Sequence, residues 1–260
     1  GDTYIKCAVW PDAHGTETLG EVIQNSCNDG MMAIGRKMGA ALLLDYQSRF
    51  NFGSRTGIDL PNESSGAIYT LDQMKDMELA STTFGQGFTS TMIQEISAVS
   101  AVINGGTYYQ PHVVKEIKSQ EDGSVLKTNE GNVLKQIVSS DVSEKIREYM
   151  GMSVTSGTSR KSKVQGYSMG GKTGTAEILS TEEKDYLVSF IGFAPLDTPQ
   201  VVVYVVVDRP NVEEQADSSY AQYIAQAILD EILPYMNIYP DEETEETTKL
   251  WDGFKGVLRL

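Results

Sequence analysis

Apolar residues recur at helical spacing through the first part of the chain and gather into strand-like runs in the last third. Thr18 with Glu21 forms a capping-box pattern ahead of Leu19, Val22 and Ile23, which places a helix start near Thr16. The pattern breaks from Asn25 to Asn28, where short polar side chains compete for backbone hydrogen bonds and favour a turn. A second helix resumes with Met31, Ile34 and Met38 on one face and stops near Gly39. Ala41 to Phe50 reads as a third helix, followed by a loop punctuated by Gly53, Gly57 and Pro61. From Thr91, the spacing of Met92, Ile96, Val99 and Ile103 predicts a helix that Asn104-Gly105-Gly106 ends. Val113 to Lys118 and Val125 to Thr128 read as a hairpin turning at Asp122-Gly123. Asp141 with Glu144 then opens a helix carrying Val142, Ile146 and Tyr149.

The period then changes. Lys172 to Glu177, Leu187 to Phe193 and Val201 to Val207 are strand candidates, and the unbroken Val-rich run of the last predicts a central strand buried on both faces. From Ser218 a helix carries Tyr220, Ile224, Ile228 and Ile232 toward that sheet. The acidic run Asp241 to Glu246 has too little apolar content to pack. The expected organisation is therefore a folded body over residues 1–239 and an acidic tail over residues 240–260.

Composition narrows the function classes. A net charge of -15 excludes a polyanion such as nucleic acid as partner, because phosphate binding needs clustered Lys and Arg. Cys7 and Cys27 read as buried thiols, with a disulfide between them left open. His14 and His112 stand apart in sequence from any second ligand at zinc spacing, so no metal is expected. No apolar stretch is long enough to cross a bilayer, and no signal peptide opens the chain.

Two short motifs carry candidate chemistry: Ser26-Cys27-Asn28 in the predicted interhelical loop, and Lys172-Thr173-Gly174-Thr175 on a predicted strand. They match two of the three motifs of the serine acyl-transferase site that β-lactams acylate. Acyl transfer through a serine ester needs a nucleophile, a proton relay and donors aimed at the oxyanion. Ser26 suits the relay, and the Asn28 amide can donate to a substrate carbonyl while accepting from a lysine. Lys172 supplies a cation and Thr173 a hydroxyl for a substrate carboxylate. Gly174 admits a ligand close to the strand, and the Thr175 N–H can donate to an oxyanion. A strand suits this task because an acyl peptide can lie along its edge. The two motifs are expected to form opposite walls of one cleft.

With these motifs go His14-Gly15, Thr56-Gly57-Ile58-Asp59-Leu60-Pro61 with Glu63, Phe84-Gly85-Gln86-Gly87 followed by Thr91 and Gln94, Asn104-Gly105-Gly106, and Ser189 to Pro195. On this set the chain resembles the C-terminal portion of the transpeptidase domain of class B penicillin-binding proteins. The resemblance implies an α/β fold of the α+β type, with an antiparallel sheet flanked by helices on both faces and an all-helical lobe beside it. It implies a D,D-transpeptidase acting on peptidoglycan stem peptides that end in D-Ala-D-Ala and inhibited by β-lactams, without a cofactor. A membrane-anchored parent on the extracytoplasmic face, within a cell-wall synthesis complex, goes with it. Ser26, Asn28, Lys172, Thr173 and Thr175 match the family's functional positions, in the roles argued above.

The family's nucleophilic Ser-x-x-Lys precedes the Ser-x-Asn element, and the chain is expected to begin after it, with the first strands of the sheet also upstream. Ser124-Val125-Leu126-Lys127 fits that motif as text, but a predicted hairpin is the wrong context, and Ser143 has no Lys at the required offset. A nucleophile-free scaffold or sensor domain is the alternative, and a serine β-lactamase fits the Thr56 to Pro61 and Phe84 to Gly87 segments poorly.

Overall fold

Thr18 caps the first helix as its sequence predicts, with its hydroxyl accepting from the Glu21 N–H while Glu21 Oε2 accepts from the Thr18 N–H at 2.7 Å. The structure, a computed structural model, describes residues 5, 7, 9–178 and 184–243. In chain order it contains α1 (Leu19–Gln24), α2 (Asn28–Met38), α3 (Ala40–Arg49), α4 (Asp76–Thr83), α5 (Met92–Ile103), β1 (Thr107–Gln110), β2 (Glu116–Lys118), β3 (Val125–Thr128) and β4 (Asn132–Gln136). Next come α6 (Ser140–Thr155), a 3-10 turn (Arg160–Ser162), β5 (Gly170–Ile178), β6 (Asp185–Ala194), β7 (Val201–Asp208) and α7 (Ser219–Tyr235). The chain divides into two units inside α6, Gly1–Ile146 and Arg147–Leu260.

The first unit is a helical lobe that also carries two two-stranded antiparallel sheets, β1 with β4 and the hairpin β2 with β3. Tyr108 of β1 is fully buried with Ala101 of α5 and Ile137, backed by Tyr46 of α3 and by Phe50, which caps the end of that helix. A Cβ on Gly30 would lie 2.5 Å from a methyl of Val22, so a glycine there is what lets α2 cross α1 closely. The second unit is built on the antiparallel sheet β5-β6-β7, with no register shift in either pairing. Its core joins Val154 of α6, Phe190 and Ala194 of β6, Val203 of β7 and Ala221, Ala225, Leu229 and Leu233 of α7.

Two expectations for this unit are corrected. Among the described residues Val201 to Val207 is an edge strand and not the central one: β6 lies between its neighbours and is buried from Val188 to Ala194, whereas β7 pairs with β6 alone and is mostly half-buried. A continuous apolar run reports apolar contact on two faces, not how many strands flank it. The face of α7 also differs. Ala221, Ala225, Leu229 and Leu233 turn inward and Ile232 packs partly against the same core as expected, while Ile224 and Ile228 are 45% and 38% exposed. Alanines one turn apart bring the helix axis close to the sheet, so the smaller stripe is the one that packs. Similarly, Val142 of α6 is exposed, and the adjacent Ser143 is buried.

Beyond Tyr239 the chain remains attached. Asp241 accepts from the Ser168 N–H at 2.6 Å and from its hydroxyl, and Glu242 pairs with Lys163 at 2.7 Å. The rest of the expected acidic tail, residues 244–260, lies outside the described residues. No helix among the described residues is long and apolar enough to cross a membrane.

Candidate active site

The link between α1 and α2 is a Schellman turn. The Cys27 N–H donates to Val22 O at 3.0 Å and the Ser26 N–H to Ile23 O at 3.3 Å, which satisfies two carbonyls at the end of α1. Such a turn places one residue in the left-handed region, usually glycine, and here it is Ser26 at φ 55°. Cys27 then caps α2, its Sγ accepting from the Gly30 N–H at 3.4 Å, so Asn28 is already the first residue of that helix. The expectation that the helix resumes near Met31 is thus shifted, because a cysteine is not a cap that sequence patterns flag. Ser26 and Asn28 flank a buried thiol, and burial pushes the Cys27 pKa up to about 12.

The second set of residues lies in line on β5. Lys172 is opposite Ile191, Thr173 opposite Phe190, Gly174 opposite Ser189 and Thr175 opposite Val188. Among the described residues β5 pairs only with β6, so its other edge keeps unpaired backbone groups at alternate residues. Desolvation lowers the Lys172 pKa to about 8, and its ammonium donates to Thr173 O at 2.9 Å. The Thr173 hydroxyl donates to Thr158 Oγ1 at 3.2 Å, and the exposed Thr175 hydroxyl reaches Ala216 O at 3.4 Å. A Cβ on Gly174 would stand 2.6 Å from Ser189 Oγ, so strand packing by itself asks for a glycine there. A Cβ on Gly171 would lie 2.5 Å from the Phe190 ring.

Other segments singled out in the sequence brace the first unit. Gln94 is fully buried, and its amide donates to Asn51 O, Ser54 O and Ser65 O at 2.9, 2.7 and 2.8 Å while its Oε1 accepts from the Thr91 N–H. One side chain therefore caps α5 and ties down the loop that follows α3. Glu63 clamps the same loop, accepting from the Thr56 amide and hydroxyl at 2.6 Å each and from the Gly57 N–H at 3.0 Å. Burial pushes the Glu63 pKa up, but these hydrogen bonds outweigh it and hold it below the usual carboxylate range. Asp59 accepts from the Val113 and Val114 amides at 2.7 and 3.0 Å. The Thr56 to Pro61 segment is thus a staple between distant loops.

A family model described as penicillin binding protein transpeptidase domain matches residues 4–230. The chain belongs to that family. It is 39% identical over 247 residues to stage V sporulation protein D of Bacillus subtilis, a match spanning 94% of this chain and 38% of that protein. To the peptidoglycan D,D-transpeptidase FtsI of Escherichia coli it is 26% identical over 230 residues, 87% of this chain and 37% of the other. The chain therefore spans about two fifths of the length of these relatives. Penicillin-binding protein 3 of Mycobacterium tuberculosis, solved with aztreonam, matches with a TM-score of 0.77 at 26% identity over 86% of this chain and 53% of that one. The transpeptidase domain of Burkholderia pseudomallei penicillin-binding protein 3 shares the fold, with a TM-score of 0.78 at 24% identity over 90% of this chain and 69% of the other. The mixed fold of antiparallel sheets and helices is that of the penicillin-binding transpeptidases.

Neither in-chain serine singled out as a formal nucleophile has a suitable setting. Ser124 lies exposed at the hairpin turn, with its hydroxyl donating to Asp122 at 2.7 Å. Ser143 is fully buried in α6, with its Oγ accepting from the Gly105 N–H at 2.9 Å. One grouping escaped the sequence reading altogether. His14, taken as isolated, comes together with Cys7 and Cys27, and the three ligating atoms lie within 4.8 Å of one another. Both cysteines are free and buried. Spacings of seven and thirteen residues follow no short zinc pattern, so only folding reveals the cluster.

Proposed function

We propose that this chain supplies the relay and substrate-holding residues of a serine D,D-transpeptidase that cross-links peptidoglycan stem peptides, with the attacking serine coming from polypeptide outside these 260 residues. The observation that supports this reading is the β5 strand, where Lys172, Thr173 and Thr175 follow one another along an edge left unpaired among the described residues. An extended peptide can hydrogen-bond to such an edge as an added strand. The Lys172 cation and Thr173 hydroxyl receive the terminal carboxylate, and the Thr175 N–H donates to the oxygen of the attacked carbonyl. In the reaction, a serine oxygen bonds to the carbonyl carbon, the amide C–N bond breaks, and the terminal D-alanine leaves with a proton relayed through Ser26. An acceptor amine then attacks the ester and releases the serine. The Asn28 amide orients the donor peptide carbonyl.

The same edge receives β-lactams, which mimic the acyl donor. We place the working protein on the extracytoplasmic face of the membrane, in a cell-wall synthesis complex, because stem peptides are joined there. Labelling with a fluorescent penicillin tests the assignment. The complete protein is expected to be labelled covalently, the 260-residue chain is not, and Lys172→Ala in the complete protein lowers the labelling rate by about 100-fold or more. A stable adduct on Ser124 or Ser143 of the 260-residue chain would overturn it.

A further inference from the structure

The acyl-transfer reading leaves unused three fully buried serines of the second unit, Ser153, Ser159 and Ser162. They are hydrogen-bonded to one another. Ser153 Oγ donates to Ser159 Oγ at 2.8 Å, the Ser159 N–H donates back to Ser153 O at 3.0 Å, and Ser162 Oγ donates to Ser159 O at 2.7 Å. This knot joins the end of α6 to the 3-10 turn, and the Lys161 N–H fastens that turn to Gln222 Oε1 of α7 at 3.1 Å. A buried polar network of this kind holds one geometry, because displacing a member strands a polar group away from water.

What the knot presents is Thr158. It precedes Ser159 in the chain, is exposed, and its Oγ1 stands 3.2 Å from the Thr173 hydroxyl of β5. A hydroxyl carries a single hydrogen and turns to suit its partners. Here Thr173 gives that hydrogen to Thr158, yet receiving a substrate carboxylate requires Thr173 to donate outward. Reversing the pair keeps the contact: Thr158 then donates into Thr173 Oγ1, and Thr173 donates to the carboxylate. Two hydroxyls in series polarise one another and strengthen the outer, charge-assisted bond.

We propose that Thr158 is a positioning residue for the acyl donor: its hydroxyl donates to Thr173 Oγ1 and so aims the Thr173 O–H at the terminal carboxylate of the stem peptide. The inference rests on the acyl-transfer reading and gives a role to a residue outside the Lys172 to Thr175 run.

Stopped-flow acylation of the complete protein by benzylpenicillin, which carries a carboxylate, separates the dissociation constant of the first, noncovalent complex from the rate constant of acylation. Thr158→Val is expected to raise the dissociation constant about 5-fold and to leave the acylation rate constant within about 2-fold. Thr158→Ala carries the same expectation should valine disturb the loop, and Thr158→Ser is expected to restore the unaltered constant. In a Thr173→Ala background, Thr158→Val is expected to have no further effect, because the hydroxyl it orients is gone. Penicillin binding as tight in the valine and alanine variants as in the unaltered protein, a serine variant as weak as the valine one, or an equal loss with and without the Thr173 hydroxyl would each overturn this inference while acylation itself proceeds. An unaltered complete protein that is not acylated would overturn the acyl-transfer reading, and this inference with it.

Discussion

Ser26 answers two opposed demands. The Schellman turn favours glycine at its left-handed position, and a side chain there costs about 1 kcal/mol, yet proton relay requires a hydroxyl. Ser26→Gly is therefore expected to leave the 260-residue chain as stable or up to about 1 kcal/mol more stable in urea denaturation. In the complete protein the same change sharply slows penicillin acylation, and unchanged acylation would remove Ser26 from the relay. Lys172 gives a pH signature of its own. It loses its proton at about 8 in the folded chain against 10.5 when fully solvated. Between those values the unfolded chain holds a proton that the folded chain has released, so stability gains a rising contribution with pH across that window and none below it. Lys172→Met removes this contribution, which the difference between the two proteins' denaturation curves from pH about 7 to about 10 measures.

Elements here are positioned by a few close approaches. Gly171 exists because the Phe190 ring of β6 lies across β5, and Gly171→Ala is expected to cost about 1–3 kcal/mol in thermal or urea unfolding. Little change would mean that the ring can move aside, leaving the lysine-bearing strand loosely held. Gln94→Ala strips α5 of its capping partner and leaves three loop carbonyls without their donor, at an expected cost of about 2–3 kcal/mol. The helix from Thr91 was legible from its apolar spacing, and the structure adds that Gln94 closes its cap. That the same amide also braces three carbonyls between Asn51 and Ser65 was not legible, because those partners lie 29 to 43 residues away. The α7 face was misread for a related reason. Sequence pattern weighs bulk, and the isoleucine stripe outweighs an alanine stripe, but closeness to the sheet favours the smaller side chains.

At the scale of the whole molecule, the described residues form two separately cored units on a strongly acidic chain. Both β5 and β7 keep an unpaired edge among those residues, and Ile224 and Ile228 leave α7 partly apolar on its outer side. Bare edges and apolar faces favour self-association, whereas a net charge of -15 opposes it. The 260-residue chain is thus expected to associate more as salt screens its charge, over a range where the Debye length falls from about 30 Å to about 8 Å. Light scattering across that series measures it, and a monodisperse monomer at every ionic strength would show that these edges are protected.

The sequence by itself determined what depends on near neighbours: the capping box at Thr18, the helix from Thr91, the three strands of the last third, the paired hairpin, and the two short motifs that point to acyl transfer. Each is written in residues a few positions apart, where local propensity and periodicity leave a readable pattern. Only the tertiary structure decided that β6 occupies the middle of the sheet, that alanines face inward on α7, that Gln94 is a brace, and that Cys7, His14 and Cys27 meet. Those outcomes depend on which surfaces pack against one another, and packing joins residues whose separation along the chain carries no periodic signal.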